Sequence, residues 1–410
     1  MDFASRLLQL CKKLSTEITH PCSLLHITSL ISPVFALFAG SSLKDRLAET
    51  NNRPSGFDYL RVGLSVGVLA YHTPRTANSW LTPMGFALVP MFFAISGFLV
   101  AGSLDRSRTM VTFLGMRAIR IVPALAGEVF LSALILGPLF TTETLAGYFS
   151  AKEFYLYFLN IVGDVHYSLP GVFKDNKYPY VNGQLWTVPY ELISYLVLWG
   201  MAVFGIYKRR LLLLFILVAY YAAQIGNTVV RGTAYVDGFP TGINLVMAFI
   251  AGLVIYKYRE RIALSKGLFV IAATLTLLCV YTQGGARFAA LPAAYVAIYF
   301  GMLNPTRNQF IQSGDYSYGI YLYGYPIQQA FIAANPIFQI WYYNLLGGLV
   351  CTLAVAACSW FLIEKPSLDQ RYRLKIVEEH WCRLRKRVIE SVPPGFRARF
   401  RFNDVAANPD

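Results

Sequence analysis

Apolar runs long enough to enter a lipid bilayer recur from Phe57 to Ile363, and that recurrence decides what the chain can fold into. Ten segments read as spanning helices, near 57–73, 82–104, 118–139, 186–206, 211–230, 240–256, 267–282, 288–303, 317–335 and 340–363. A span prefers about 20 residues, so the shorter runs have the softest boundaries. Composition agrees: 56% of the 410 residues are hydrophobic and 14% are charged. A soluble domain averages about a quarter charged residues. The expected fold class is therefore all-α, a polytopic membrane bundle of about ten transmembrane helices.

The basic residues supply the orientation. With the N-terminus in the cytoplasm, 29 of the 36 Lys and Arg fall on the inner side and 6 on the outer side, with Arg61 inside the first span. Such asymmetry is what membrane insertion selects, and it predicts that both termini are cytoplasmic. Residues 1–56 then form a cytoplasmic or interfacial segment, 57–363 the membrane domain and 364–410 a basic tail lying on anionic lipid. The net charge of +14 does not indicate nucleic acid, because the basic residues lie between apolar segments and not on one soluble module. Within the first segment, Leu24–Gly40 is apolar but broken by Pro33, and reads as interfacial or re-entrant. The start of the chain lacks the layout of a cleavable signal peptide. The six cysteines form no CxxC pair, so neither disulfide nor metal is inferred.

Ionisable residues within the spans carry the chemistry, since they are costly to bury. The first span holds Arg61 and His72, eleven residues apart. On an α-helix that spacing puts both side chains on one face, roughly 16 Å from each other. The plainer alternative has Arg61 pairing with Asp58 at the headgroups and His72 marking the opposite interface. His72 is the single histidine inside a span, and histidine is the usual general base near neutral pH. The fourth span also enters from the outer side, through Gly183-Gln-Leu-Trp-Thr-Val-Pro-Tyr-Glu191, so Glu191 is expected near the depth of His72. A carboxylate there could orient the imidazole; paired with an outer lysine, it would not. Arg117 and Arg120 share a helix face at the inner end of the third span, level with Arg61. Three guanidiniums could grip a phosphate, although inner arginines are also what topology alone requires.

Other features have readings of their own. Ser96-Gly97 in the second span suits close helix packing better than a nucleophile. Glu128 lies on the face of Arg117 and could neutralise an arginine. The tyrosines of 316–326 suit an aromatic belt or a sugar-stacking wall. The long outer loop, about 140–185, has an apolar patch at Phe154–Ile161 and a turn-rich tract from Pro170 to Pro179, and reads as a lid or substrate platform.

Taken in order, these motifs resemble the acyltransferase 3 family of membrane-bound O-acyltransferases. Asp58-x-x-Arg61 followed by His72 is similar to that family's arginine–histidine signature, and Phe92-Phe-Ala-Ile-Ser-Gly-Phe-Leu99 to its second-helix motif. Arg117-x-x-Arg120-Ile-x-Pro123 and Gly183-Gln-Leu-Trp-Thr-x-x-x-Glu191 resemble two further motifs, and Ser317-Tyr-Gly-Ile-Tyr-Leu322 and Ile363-Glu-Lys-Pro366 its closing ones. One departure is Gly324, where many members carry a histidine.

The resemblance implies ten helices in a bacterial inner membrane and a cytoplasmic acyl-CoA donor, as a rule acetyl-CoA, with no metal. It implies transfer to a hydroxyl of a surface glycan, such as lipopolysaccharide O-antigen or exopolysaccharide, or of a lipid-linked sugar. Arg61, Arg117 and Arg120 are then expected to hold the CoA phosphates. His72, oriented by Glu191, is expected either to deprotonate the acceptor hydroxyl or to relay the acyl group covalently. A rival reading of another class is a transporter or flippase for a lipid-linked sugar or small anion, but the sequence shows none of the matched broken helices of inverted-repeat carriers.

Overall fold

Hydrocarbon offers backbone amides no hydrogen-bonding partner, so a chain with this pattern must satisfy them within helices. In the computed structural model, residues 37–73, 82–107, 109–231 and 241–391 are described, and within them the backbone is helical apart from loops and two isolated β-bridges, Ser42–Ala263 and Thr141–Val172. Each of the ten apolar segments contains a helix. These are α1 (Gly56–Tyr71), α2 (Gly85–Arg106), α3 (Met110–Leu131), α4 (Val188–Val203) and α5 (Arg210–Arg231), then α6 (Gly242–Lys257), α7 (Lys266–Tyr281), α8 (Ala290–Gly301), α9 (Ser317–Ala334) and α10 (Trp341–Ser359). The basic tail adds α11 (Arg371–Ser391). By length and composition, four helical stretches suffice to cross a membrane: Gly85–Arg106, Thr112–Phe140, Arg210–Val230 and Trp341–Leu384. Residues 24–36 of the expected interfacial segment lie outside the described residues.

The centre of the bundle is the contact of α2 with α6. Glycines make it close: a Cβ on Gly97 would collide with the carbonyl oxygen of Phe249, and one on Gly252 with that of Ala94. Small residues that let two backbones approach are the usual device where lipid removes the hydrophobic drive between helices. Ser96-Gly97 is thus a packing motif, as its sequence suggested, with Ala94, Phe98, Phe249 and Leu253 fully buried around it. Helix α9 packs in the same way on α10, with Gly319 against Ala356, and also contacts α1.

Two helices change pitch. α3 passes into a π-turn over Ser132–Leu136 and α10 into another over Trp360–Glu364. Such turns recur where a functional side chain must be re-aimed. The segment at the short helix Leu43–Glu49 is tied to the α6–α7 connection by Leu43 N–H donating to the Ile262 carbonyl (3.0 Å) and Leu264 N–H to that of Ser41 (2.8 Å). The long loop after α3 carries two short helices, Leu145–Ser150 and Lys152–Tyr157, so its apolar patch is structured.

The α2–α6 contact makes a direct prediction. Gly97→Leu should destabilise the protein by about 1–3 kcal/mol, because the obstacle is backbone and cannot rotate away. A control, Gly200→Ala, meets nothing within 4 Å and should leave Tm unchanged. Thermal melting of the detergent-solubilised variants checks both.

Candidate active site

A guanidinium inside a bundle needs a counter-charge, and Asp315 supplies it. This residue sits in the turn before α9, where its Oδ1 accepts from the Ser317 hydroxyl (2.6 Å). Its Oδ2 accepts from Arg61 Nη1 (3.1 Å) on α1 and from Arg120 Nη2 (2.5 Å) on α3. One carboxylate therefore joins three helices. Burial alone would raise the Asp315 pKa, but the Arg61 and Arg120 charges hold it well below the usual carboxylate range. Arg61 also pairs with Asp58 at 3.2 Å, as its i, i+3 spacing suggested, and Asp58 pairs in turn with Arg307 at 3.1 Å. The Ser65 hydroxyl, donating to the Ser317 carbonyl (2.7 Å), fixes α1 against α9.

Arg117 is different. Its Nη2 donates to the Ser103 hydroxyl (2.8 Å), while its Nε is buried with no partner. Among the described residues, no carboxylate lies within 4 Å of it. With a neutral hydroxyl as its hydrogen-bond partner and no direct ion pair among the described residues, it is the arginine of the three best placed to receive an anion.

All three arginines line one cavity of about 140 Å³. Its opposite wall includes Glu191 and Tyr195 of α4, and its apolar side includes Phe92, Phe93 and Phe249. The Tyr195 hydroxyl donates to Glu191 Oε1 (2.8 Å) from one helical turn away, and Ser96 Oγ lies 3.3 Å from the same hydroxyl. Glu191 falls in the first turn of α4, where the helix dipole favours a carboxylate. A 3₁₀ turn over Gly183–Thr187 precedes the helix, opened by Asn182, whose side-chain oxygen accepts from the Gln184 N–H (3.1 Å). Because that turn is itself buried, Glu191 lies among the arginines.

His72 is the C-cap residue of α1, with its ring edge-on to Tyr71 (5.2 Å between centroids) and to Tyr325 (5.0 Å). Tyr321, which lines the cavity and shares a 2.7 Å hydrogen bond with Thr187, precedes Tyr325 by one turn of α9. That step is about 6 Å along a helix. His72 is therefore not among the residues that line the cavity; the ring it touches, Tyr325, is one turn of α9 from the lining Tyr321. The structure brings Arg61, Arg117, Arg120 and Glu191 together and sets His72 one turn away; the carboxylate that was expected to orient it receives its hydrogen bond from Tyr195.

Two residues emerge that the sequence did not single out. Asp315 stands two residues before the closing motif at Ser317, and Tyr195 stands at i+4 from Glu191, so each had a local signal. Glu128 is fully buried and accepts from the Ser132 hydroxyl (2.7 Å), and among the described residues it pairs with no arginine. Among the described residues, no cluster of three or more His, Cys, Asp or Glu could hold a metal ion.

Removing one partner of a buried ion pair strands the other charge. Asp315→Ala should cost about 3–5 kcal/mol. Asp58→Ala, at a more exposed cluster, should cost ~1 kcal/mol or less. Equal losses of Tm in the two variants would contradict this ranking.

The chain was also compared with known proteins. Residues 55–364 match the acyltransferase domain that defines the acyltransferase 3 family. An O-acetyl transferase of Shigella phage Sf6 is 26% identical over 330 residues, which is 77% of this chain and 96% of that protein. Nodulation protein 10 of Rhizobium leguminosarum bv. viciae is 28% identical over 370 residues, 80% of this chain and 98% of that protein. No solved structure matches. With its arginine cavity, its histidine one turn beyond and a family match over most of its length, the chain belongs to the acyltransferase 3 family and is an O-acyltransferase.

Proposed function

We propose that this protein, with ten spans and both termini in the cytoplasm of a bacterial inner membrane, transfers an acetyl group from cytoplasmic acetyl-CoA to a hydroxyl of a surface glycan. The observation that carries the donor assignment is Arg117, a cation without a carboxylate partner lining a cavity that Arg61 and Arg120 also line. A cavity of about 140 Å³ is smaller than the roughly 300–1,000 Å³ of a site for a drug-sized ligand. It is too small for the whole donor: the phosphates lie beside the arginines that line it, and the acyl-thioester end extends past Tyr321 towards His72. The acetyl group is taken from the name of the phage relative.

The same layout gives each residue a role. Arg61, Arg117 and Arg120 hold the CoA phosphates. The pantetheine arm passes along α9 from Tyr321 towards Tyr325 and presents the thioester to His72. The imidazole of His72 takes the proton of the acceptor hydroxyl as its oxygen attacks the thioester carbonyl. The C–S bond then breaks, and the imidazolium returns the proton to the departing thiolate, leaving an O-acetyl ester and CoA. Glu191, held by Tyr195, faces the arginines in the same cavity and limits their mutual repulsion while the donor is absent.

With the protein in nanodiscs and radiolabelled acetyl-CoA, His72→Ala should abolish transfer while still binding CoA. Arg117→Gln should weaken CoA binding roughly tenfold or more, the worth of a lost charge-assisted contact. Wild-type transfer by His72→Ala, or unchanged CoA affinity in Arg117→Gln, would overturn the respective assignment. A transporter would leave the labelled donor intact.

A further inference from the structure

The loop between α3 and α4 is anchored at several points. Its own Tyr148 and Tyr157 are fully buried, and Lys174 pairs with Glu143 at 2.8 Å. Two buried asparagines then clamp it to α9. Asn176 Nδ2 donates to the carbonyl of Gln329 (3.0 Å) and to its side-chain oxygen (2.7 Å), and Asn182 Nδ2 donates to the carbonyl of Leu322 (2.9 Å).

Between the clamps stands Lys177-Tyr178-Pro179-Tyr180. Its backbone is held by Tyr180 N–H donating to the Tyr178 carbonyl (2.8 Å) and Val181 N–H to that of Tyr167 (2.8 Å). Yet its rings are open to solvent: Tyr178 is 57% and Tyr180 44% exposed, with Tyr167 packed behind Tyr180 at 5.5 Å. Three residues beyond Tyr180, Gly183 lies against the Tyr325 ring, where an added Cβ would come within 3.1 Å of it, and the Tyr325 ring in turn touches His72. The segment that carries the exposed tyrosines is therefore seated on the ring that meets the imidazole.

Lipid is the wrong occupant for this surface. Lys174, Asp175 and Lys177 are all exposed along it, and charges are costly against hydrocarbon. The apolar exposed residues of the same loop, Leu145, Phe149, Tyr155, Leu159 and Val162, fall elsewhere, on its two short helices and the turn that follows them. A pyranose ring fits better: it has an apolar C–H face to lie on a tyrosine and a rim of hydroxyls to meet the phenols and nearby charges. Fixing the tyrosines by buried clamps removes much of the ordering cost that binding would otherwise incur.

We propose that Tyr178 and Tyr180, backed by Tyr167, form a stacking platform for a sugar ring of the acceptor and set its hydroxyl over His72. This rests on the reading above that the acceptor is a glycan. The probe is surface polysaccharide from the host strain, O-deacylated with mild base and cut to oligosaccharides. In the double variant Tyr178→Ala/Tyr180→Ala, KM for these oligosaccharides should rise about tenfold. KM for acetyl-CoA, the acceptor-independent hydrolysis of acetyl-CoA and Tm should stay as in wild type, and Tyr178→Phe/Tyr180→Phe should restore most of the acceptor affinity. Wild-type transfer with unchanged acceptor KM in the alanine variant would overturn the platform alone. Wild-type protein that cleaves acetyl-CoA but never labels the polysaccharide would overturn the glycan reading, and the platform with it.

Discussion

Charge compensation in a medium that solvates ions poorly is the constraint on which the structure depends. Three guanidiniums converge on one cavity, and only one carboxylate, Asp315, is shared between two of them. That carboxylate fixes the relative positions of α1, α3 and α9 at the level of the site. The third, Arg117, has a serine for a partner and keeps its charge. Had Arg117 also been neutralised, the cavity would be a structural ion cluster. Left as it is, Arg117 is the cation on which the proposed donor site rests.

Helix α9 links everything that follows. Ser317 at its start steadies Asp315, Tyr321 faces the cavity, Tyr325 touches His72, and Leu322 and Gln329 hold the outer loop by their carbonyls. A single rigid element thus sets the distances from inner arginines to imidazole to exposed tyrosines. Rigid placement of this kind is how a site gains orientation without moving parts. The glycines that seat α2 on α6 do the same for the opposite wall, where Phe93 and Phe249 meet the cavity.

Much of this was legible in the sequence. The apolar periodicity located helices in all ten segments, and the eleven-residue spacing of Arg61 and His72 set them at the two ends of one helix. Arg117, Arg120 and Arg61 could be grouped because inner ends of neighbouring spans lie at one level. Depth was harder to read. Counting from the outer surface put Glu191 near the depth of His72, but could not tell that it shares a cavity with the arginines, because the turn before it, with Gln184, Leu185 and Thr187, is buried. Asp315 escaped notice because it lies just outside a span, where an acid draws no attention until its partners are known. The loop of about 140–185 read as a lid or substrate platform, but its tyrosines did not stand out, since nothing local tells that Asn176 and Asn182 tie them to α9.

The most direct test is a structure of the protein with a non-hydrolysable acetyl-CoA analogue. The account predicts the phosphates against Arg117 in the cavity, the acyl group at the level of Tyr321 and Tyr325, and the His72 imidazole as its nearest ionisable neighbour. An analogue bound away from this cavity, with Arg117 still resting on Ser103 and His72 remote from the acyl carbon, would contradict it.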